Sequence, residues 1–348
     1  MSELPTVPAR VVAKPITKPL PPIGAPVLSQ WSLRVLLTVP VTVALALLFH
    51  VSVSSREMPN ETRLYTNFLL IVLGFFATAS VAQMGWSGLR RWLHQMGPIF
   101  AAVVIFLGCW EAVTTWQRWL PLPYFPSPAG VLNNLVNDRA VIWDSTWHSL
   151  LLLLQGYALG VVVGLISGIC IGWFPTARYW GMPVLKVLGP IPATAWIPLA
   201  LIICSYFGWS TSTAAATGLI AVAVWFPVTM LTASGISNTR ASYLDVARTL
   251  GAGRAFLIFR VAIPAAMPSI FIGLFMGLGS SFLTLVVAES VGVKSGLGYY
   301  LTWAQGWAEY GKVFAALVIM AIFFSTIMTV LFKVRDRVLV WQKGVIKW

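Results

Sequence analysis

The sequence has few charged residues: 9% of its 348 residues are Asp, Glu, Lys or Arg, whereas 58% are hydrophobic. A soluble domain carries about 25% charged residues. The composition therefore excludes a soluble globular protein and indicates a membrane protein. The net charge of +13 does not call for nucleic acid as a partner, because membrane proteins gather their cations on the cytoplasmic side.

Residues that bind metals or carry catalysis are also scarce. Three cysteines and three histidines are scattered without the spacing of a metal site or a disulfide framework. No GxxxxGK[ST] loop is present, so the chain cannot hydrolyse ATP by that route. We expect no metal, no cofactor and no catalytic residue in this chain, and any ATP would be bound by a separate subunit.

Long apolar runs fill most of the chain. A hydrocarbon core of about 30 Å needs about 20 apolar residues per helix. Eight stretches qualify as spans: 32–53, 67–86, 98–117, 148–173, 184–206, 213–236, 264–292 and 313–333. The predicted fold class is all-α, a polytopic transmembrane helical bundle. Residues 1–30 are rich in proline and lack periodicity, which predicts a disordered cytoplasmic tail.

Lys and Arg are distributed unevenly between the two sides of these spans. With the N-terminus inside, inner segments hold 17 of these residues and outer segments hold 6. The positive-inside rule then places both termini in the cytoplasm. On the outer side, the proline-rich segment 121–128 predicts a rigid turn, and 129–137 predicts a short helix on the membrane surface.

Glycines recur every four residues in the fourth predicted span, which allows a neighbouring helix to approach closely. They are Gly156, Gly160, Gly164, Gly168 and Gly172. A similar, shorter pattern is formed by Gly273, Gly277 and Gly279. Both patterns predict a compact bundle.

The inner segment 237–263 predicts a helix, a tight turn and a second helix. Ser242 and Asp245 have the spacing of a capping box, with Asp in place of Glu or Gln. Gly251 suits the left-handed conformation that ends a helix. The second helix is expected to end at Pro264, because proline lacks the N–H that continues the helical hydrogen bonds.

This segment resembles the cytoplasmic signature of ABC-importer permeases, which reads Glu-Ala-Ala, three residues, Gly, nine residues, Ile-x-Leu-Pro. Here Asp245-Val-Ala247, Gly251 and Val261-Ala-Ile-Pro264 keep that spacing throughout. Further segments look like permeases for nitrate, sulfonate, taurine and bicarbonate: Pro190–Pro192, Ala195–Pro198, Thr249–Ala252, Ala265–Pro268, Val287–Glu289 and Ser295–Gly298.

The resemblance covers about residues 98–348 and implies a type I ABC-importer permease core of six spans, with 31–97 adding two N-terminal spans. It implies residence in the lipid of a bacterial inner membrane. The implied partners are an ABC ATPase, a periplasmic or lipid-anchored solute-binding protein and a second, identical permease. Related permeases also carry vitamin precursors, so the cargo stays open.

In that family the short helix of the loop docks into a groove of the ATPase. The resemblance carries this role to Tyr243, Leu244, Asp245, Ala247, Thr249, Leu250, Gly251 and Pro264. Asp245 has an alternative role, since a carboxylate near a helix N-terminus is favoured locally.

Several polar or aromatic residues are candidates for a translocation path: Trp196, Ser280, Ser281, Thr284 and Glu289. Prolines on both sides of Trp196 are expected to interrupt the fifth span, as in many transporters. An acid within a membrane is a functional candidate by default. For an anion carrier, however, we expect Glu289 to pair with a cation such as Lys294 or to cap the next helix.

A secondary transporter that is not coupled to an ATPase is the main alternative. It would predict inverted repeats and several ionisable residues within the spans. Glu111 and Glu289 are the only acids of this kind, and no repeat is evident. A membrane enzyme would need a His/Asp/Glu cluster at a membrane face, and the sequence has none.

Overall fold

The structure is a computed structural model that describes residues 33–54, 59–83, 85–120, 123–208 and 211–342. The predicted tail 1–30 lies outside these ranges. The described residues form helices joined by short turns, without a β-strand among them, and this confirms the all-α class. The helices are α1 (Leu33–Ser54), α2 (Pro59–Ala82), α3 (Ser87–Glu111), α4 (Pro128–Asn137), α5 (Arg139–Trp173), α6 (Pro175–Leu188), α7 (Ile197–Tyr206), α8 (Thr211–Ser237), α9 (Ala241–Thr249), α10 (Arg254–Phe256), α11 (Ile263–Gly292), α12 (Leu297–Gly306) and α13 (Tyr310–Val338).

Four irregular helical turns join or extend these helices. A π-helical turn continues α3, a 3₁₀ turn precedes α7, a second π-helical turn links α10 to α11, and a 3₁₀ turn follows α13. Their bounds, in that order, are Ala112–Trp116, Ala193–Trp196, Leu257–Ala262 and Val340–Gln342.

Six helices in the described part of the chain are long and apolar enough to cross a membrane. They comprise Thr62–Ala82, Ser87–Trp116, Arg139–Trp173, Ser212–Ser237, Arg254–Val291 and Tyr310–Val338. A seventh candidate is the pair Pro175–Leu188 and Ala193–Tyr206, which meet at 90°. The break falls at 189–192 and includes Pro192, as predicted, whereas Pro198 lies in the first turn of α7 and does not interrupt it. The first predicted span is α1, whose apolar part, Thr38–Val53, is shorter than the others.

Several helices are longer than the apolar runs that predicted them. The predicted spans 67–86, 98–117 and 148–173 correspond to α2, α3 and α5, which begin earlier, at Pro59, Ser87 and Arg139. Hydropathy marks the part of a helix that meets the membrane core, whereas helical hydrogen bonds continue into polar sequence. Pro98 lies inside α3 without ending it.

The bundle has two ends. We call the end where α9 lies the loop side, and the end where α4 and α12 lie the far side. Chain order and packing place the start of α1 and the end of α13 on the loop side. The short helix predicted for 129–137 is confirmed as α4. Its N-cap Ser127 accepts a hydrogen bond from the backbone N–H of Gly130 at 3.2 Å.

The centre of the bundle is the contact between α5 and α8, which run parallel. A Cβ added to any of the five glycines of α5 would come within 3 Å of an atom of α8. At Gly160, for example, it would lie 2.6 Å from the carbonyl oxygen of Ala221. A Cβ at Gly164 would lie 2.9 Å from Val228, and one at Gly168 would lie 2.6 Å from Thr232. The glycine strip therefore does what its spacing predicted.

Helix α11 packs antiparallel on α8. A Cβ at Gly273 would lie 3.2 Å from the carbonyl oxygen of Pro227, and one at Gly277 would lie 3.2 Å from Val224. The prediction fails for Gly279, which has no neighbour within 4 Å of an added Cβ. It lies two residues after Gly277, and positions two apart on a helix face different directions.

The N-terminal helices are joined to α3 by a buried polar pair. His50 of α1 and Glu111 of α3 are 1% and 3% exposed, and His50 Nδ1 lies 2.5 Å from Glu111 Oε1. Thr66 donates its hydroxyl proton to the carbonyl of Thr62 at 3.0 Å, so its oxygen accepts from His50 Nε2, also at 3.0 Å. This buried chain of hydrogen bonds joins α1, α2 and α3.

The α5–α8 contact can be tested with the substitution Gly160→Ala. Alanine is favoured over glycine in a helix by about 1 kcal/mol. Its methyl group has no room at this contact, and overpacking costs about 1–3 kcal/mol. We expect the thermal unfolding midpoint of the purified protein to fall by several degrees. Gly218→Ala, on α8 where an added Cβ meets nothing within 4 Å, should leave it unchanged or raise it. Equal midpoints for the two variants would contradict the packing.

Candidate functional site

The loop after α8 forms the predicted helix, turn and second helix. Helix α9 ends at Thr249 and is followed by Gly251, whose φ of +82° lies in the left-handed region that favours glycine. The N–H of Ala252 donates to the carbonyl of Ala247 at 3.0 Å, and that of Gly251 donates to Arg248 at 2.9 Å. These two bonds form a Schellman motif, which closes the helix and turns the chain back towards the membrane.

The predicted capping box is wrong. Helix α9 begins at Ala241 with Arg240 as its N-cap, and no side chain caps it. Ser242 lies inside the first turn, where its hydroxyl cannot occupy the cap position. The carboxylate of Asp245 accepts instead from the guanidinium of Arg248 at 3.0 Å. The local partner of Asp245 is thus a side chain of the same helix and not the backbone at the helix N-terminus.

The predicted end of the second helix at Pro264 is also wrong. The chain is helical from Arg254 through the π-helical turn into α11, and Pro264 lies in the first turn of α11. Pro264 lies just after the π-helical turn, where the hydrogen-bond pattern changes, so the helix continues past it although its N–H is missing. The loop is consequently joined to α11 by continuous helix.

Helix α9 exposes an apolar stripe. Tyr243, Val246 and Leu250 are 52%, 61% and 82% exposed. Their spacing of three and four residues places them on one face of the helix. Leu244 and Ala247 are half-buried against the bundle, so the helix is held on one side and free on the other. Val246 was not among the predicted docking residues, since the family signature has a small alanine there.

A cavity of about 460 Å³ lies between the broken span, α8 and α11. It brings together three of the predicted path residues, Trp196, Ser280 and Thr284. Its other polar or aromatic lining residues were not predicted, because no motif marks them; they are Thr194, Trp225 and Phe226. No charged residue of the described chain lines it.

The hydrogen bonds around this cavity leave few donors facing it. Ser280 and Thr284 donate to carbonyls of their own helix, each at 3.0 Å. The indole N–H of Trp225 donates to Ser167 at 3.0 Å. By contrast, the side chains of Trp196 and Thr194 donate to no acceptor within the described ranges. These two donors are available to a solute.

Ser281 and Glu289 lie away from the cavity. Ser281 is fully buried and donates to the carbonyl of Leu278 at 2.7 Å. Glu289 is 1% exposed, and its carboxylate accepts from Ser149 at 2.6 Å and from the backbone N–H of Gly298 at 2.7 Å. Ser149 in turn accepts from the N–H of Leu297 at 2.8 Å.

Glu289 and Ser149 together cap the N-terminus of α12. Of the two roles predicted for Glu289, capping the next helix is confirmed, and pairing with Lys294 is wrong because no such ion pair forms in the described chain. A carboxylate is favoured at a helix N-terminus, where backbone N–H groups lack partners. Gly296 and Gly298 leave the space that the carboxylate occupies.

The far side is held by a second polar cluster. Asp138, at the end of α4, accepts from the hydroxyl of Tyr300 at 2.7 Å and lies 3.4 Å from the ammonium of Lys312. Lys312 also pairs with Glu309 at 2.6 Å. Burial, and then the bond to Asp138, raise the pKa of Tyr300 above its ordinary value. The cluster ties α4, α12 and α13 together.

Comparisons with known proteins identify the class. Residues 160–339 match the family described as binding-protein-dependent transport system inner membrane component. The taurine transport system permease protein of Escherichia coli K12 is 30% identical over 241 residues, which are 67% of this chain and 86% of that protein. A putative aliphatic sulfonates transport permease protein from the same organism is 30% identical over 243 residues, covering 67% and 87%.

The fold agrees with the sequence comparisons. The chain is similar to the solved inward-facing MetNI methionine ABC transporter, with a TM-score of 0.52 and 16% identity over 58% of this chain and 98% of that one. The chain belongs to the family of binding-protein-dependent inner membrane transport components. It is a multi-pass permease subunit of an ABC importer, and such a permease works with an ATPase and a substrate-binding protein. Family membership favours this function over a secondary transporter.

The cap at α12 can be tested by replacing Glu289. Glu289→Ala leaves the buried donors of Gly298 and Ser149 without an acceptor, and each such group costs about 1–3 kcal/mol. Glu289→Gln keeps one acceptor and should cost less. Glu309→Ala removes a partly exposed ion pair with Lys312, worth at most about 1 kcal/mol, and leaves the pair of Lys312 with Asp138 in place, so it serves as the control. The thermal unfolding midpoint should be lowest for Glu289→Ala, higher for Glu289→Gln and highest for Glu309→Ala. An unchanged midpoint for Glu289→Ala would refute the capping role.

Proposed function

We propose that this permease imports a small organic oxyanion of the sulfonate type, taurine included, across a bacterial inner membrane by alternating access. The names of the relatives support this cargo over nitrate or bicarbonate. The cavity is also better suited to a solute with an organic body, because Trp196, Trp225 and Phe226 offer apolar surface. Free donors on Trp196 and Thr194 would bind the oxyanion without a fixed positive charge.

The loop side is proposed to be cytoplasmic, with both termini there. The distribution of Lys and Arg, 17 against 6, supports this orientation. Residues 98–348 would form the six-span core. Residues 31–97 would add two accessory spans fixed to the core through His50 and Glu111, and residues 1–30 would form a tail.

Helix α9 is proposed to dock into a groove of the ATPase. The main support is its exposed stripe of Tyr243, Val246 and Leu250, since an amphipathic helix in a groove is anchored by residues at this spacing. Asp245, Thr249 and the turn at Gly251 would complete the contact, and Pro264 would continue it into α11. ATP would be bound and hydrolysed by that subunit, so this chain needs no cofactor and has no catalytic activity.

A second copy of the chain is proposed as the partner permease. Met276 and Leu283 beside the cavity are 57% and 72% exposed and belong to a helix that otherwise packs at the centre of the bundle. A second copy would cover this apolar face and close the cavity, and lipid would surround the remaining outer faces.

The proposed coupling can be tested with Gly251→Val. Valine at a φ of +82° is strained, so the Schellman turn should be lost and α9 misplaced. Gly253→Val is a matched control, because Gly253 has a φ of −73° and nothing within 4 Å of an added Cβ. The assay is ATP-dependent uptake of labelled taurine into proteoliposomes that also contain the ATPase and the binding protein.

We expect Gly251→Val to reduce uptake at least about tenfold, which corresponds to about 1.4 kcal/mol of lost coupling, while membrane insertion is normal. Gly253→Val should transport normally. Normal uptake by Gly251→Val would refute the docking role. Uptake of labelled taurine that is blocked by excess nitrate or bicarbonate, and not by alkanesulfonates, would refute the proposed cargo.

A further inference from the structure

A second cavity, of about 440 Å³, lies on the loop side between α9 and the ends of two spans. Three arginines from three separate elements line it: Arg178 of α6, Arg248 of α9 and Arg254 of α10. We call it the arginine pocket. Its other lining residues are Gly172, Trp173, Ile236, Ser237, Thr239, Leu244 and Leu257.

The arginine pocket has an excess of positive charge. Arg248 pairs with Asp245, which is the one acid that contacts these arginines in the described chain. Arg178 and Arg254 form no ion pair or hydrogen bond with any described residue. Ser237 and Thr239 donate to backbone carbonyls at 3.2 and 3.4 Å, so the guanidinium groups supply the donors that face the pocket.

The chemistry of the lining selects a ligand class. A guanidinium presents its N–H groups as a planar fork that matches two oxygens of a phosphate-type group. The pocket is also lined by the apolar residues Trp173, Leu244 and Leu257. A pocket with cationic and apolar parts suits a phosphate group that is attached to a larger, partly apolar molecule.

The position of the pocket places it at the membrane surface. Helices α5 and α8 are spans, and both end at the pocket, at Trp173 and Ser237. Next to Arg178, Tyr179 and Trp180 are 72% and 70% exposed, as expected for aromatic residues at a membrane interface. Lipid phosphate groups lie at this depth, and basic pockets between spans are known to bind anionic head groups.

We propose that the arginine pocket binds a phosphate-type oxyanion, supplied by the head group of an anionic phospholipid or by free phosphate. This site is separate from the transport cavity and depends neither on the cargo nor on docking of the ATPase. Because Arg248 belongs to α9 and Arg254 to the helix that leads into α11, a bound phosphate would connect the loop to α6 at the membrane surface.

The experiment compares two probes on the purified full-length chain. Native mass spectrometry measures the binding of phosphatidylglycerol and of phosphatidylcholine with the same acyl chains, and thermal unfolding measures the effect of inorganic phosphate. The test variant is R178Q/R254Q. The control is K333Q/R337Q, which removes two exposed cations near the loop-side end of α13 that do not line the pocket.

We expect the wild type to bind phosphatidylglycerol about 10- to 30-fold more tightly than phosphatidylcholine. R178Q/R254Q should lose this preference, and K333Q/R337Q should keep it. If the lipids show no difference but inorganic phosphate stabilises the wild type and not R178Q/R254Q, the site is confirmed with a soluble anion as its ligand. If neither probe distinguishes R178Q/R254Q from the wild type, the proposal is wrong.

Discussion

The structure depends on the close contact between α5 and α8. Five glycines bring two long helices together until backbone meets backbone, and α11 packs on α8 in the same way. Helix α8 is the most buried of the spans and has little room to move independently. Tightly packed interiors change between discrete arrangements and do not deform continuously. Any movement of α8 must therefore involve α5 and α11 as well.

Helix α8 links the cavity to the loop that carries α9. In its middle, α8 presents Trp225 and Phe226 to the cavity, and at its loop-side end it leads within a few residues to α9. Helix α11 is joined to the loop by continuous helix through a π-helical turn, a feature found often at functional sites. A displacement of α9 would thus reach both helices that form the cavity.

Features that depend on local sequence could be predicted. The glycine period, the turn at Gly251 and the break near Trp196 follow from the properties of single residues. Contacts between distant parts of the chain could not be predicted, since nothing in the sequence around His50 indicates Glu111 and nothing around Ser149 indicates Glu289. The capping box and the helix end at Pro264 failed because packing of the loop against the bundle, which no local pattern reports, decides where those helices begin and end.

The most direct test of the account is a cross-link between α9 and the ATPase. Leu250 would be replaced by cysteine in a background without Cys109, Cys170 and Cys204. Cysteines would also be introduced around the groove of the ATPase, and the complex would then be treated with a short bifunctional thiol reagent. Docking of α9 predicts a cross-linked product for Leu250→Cys and none for a cysteine at Val136, an exposed residue of α4 at the far side. A complex that is intact and transports, yet gives no cross-link from α9, would contradict it.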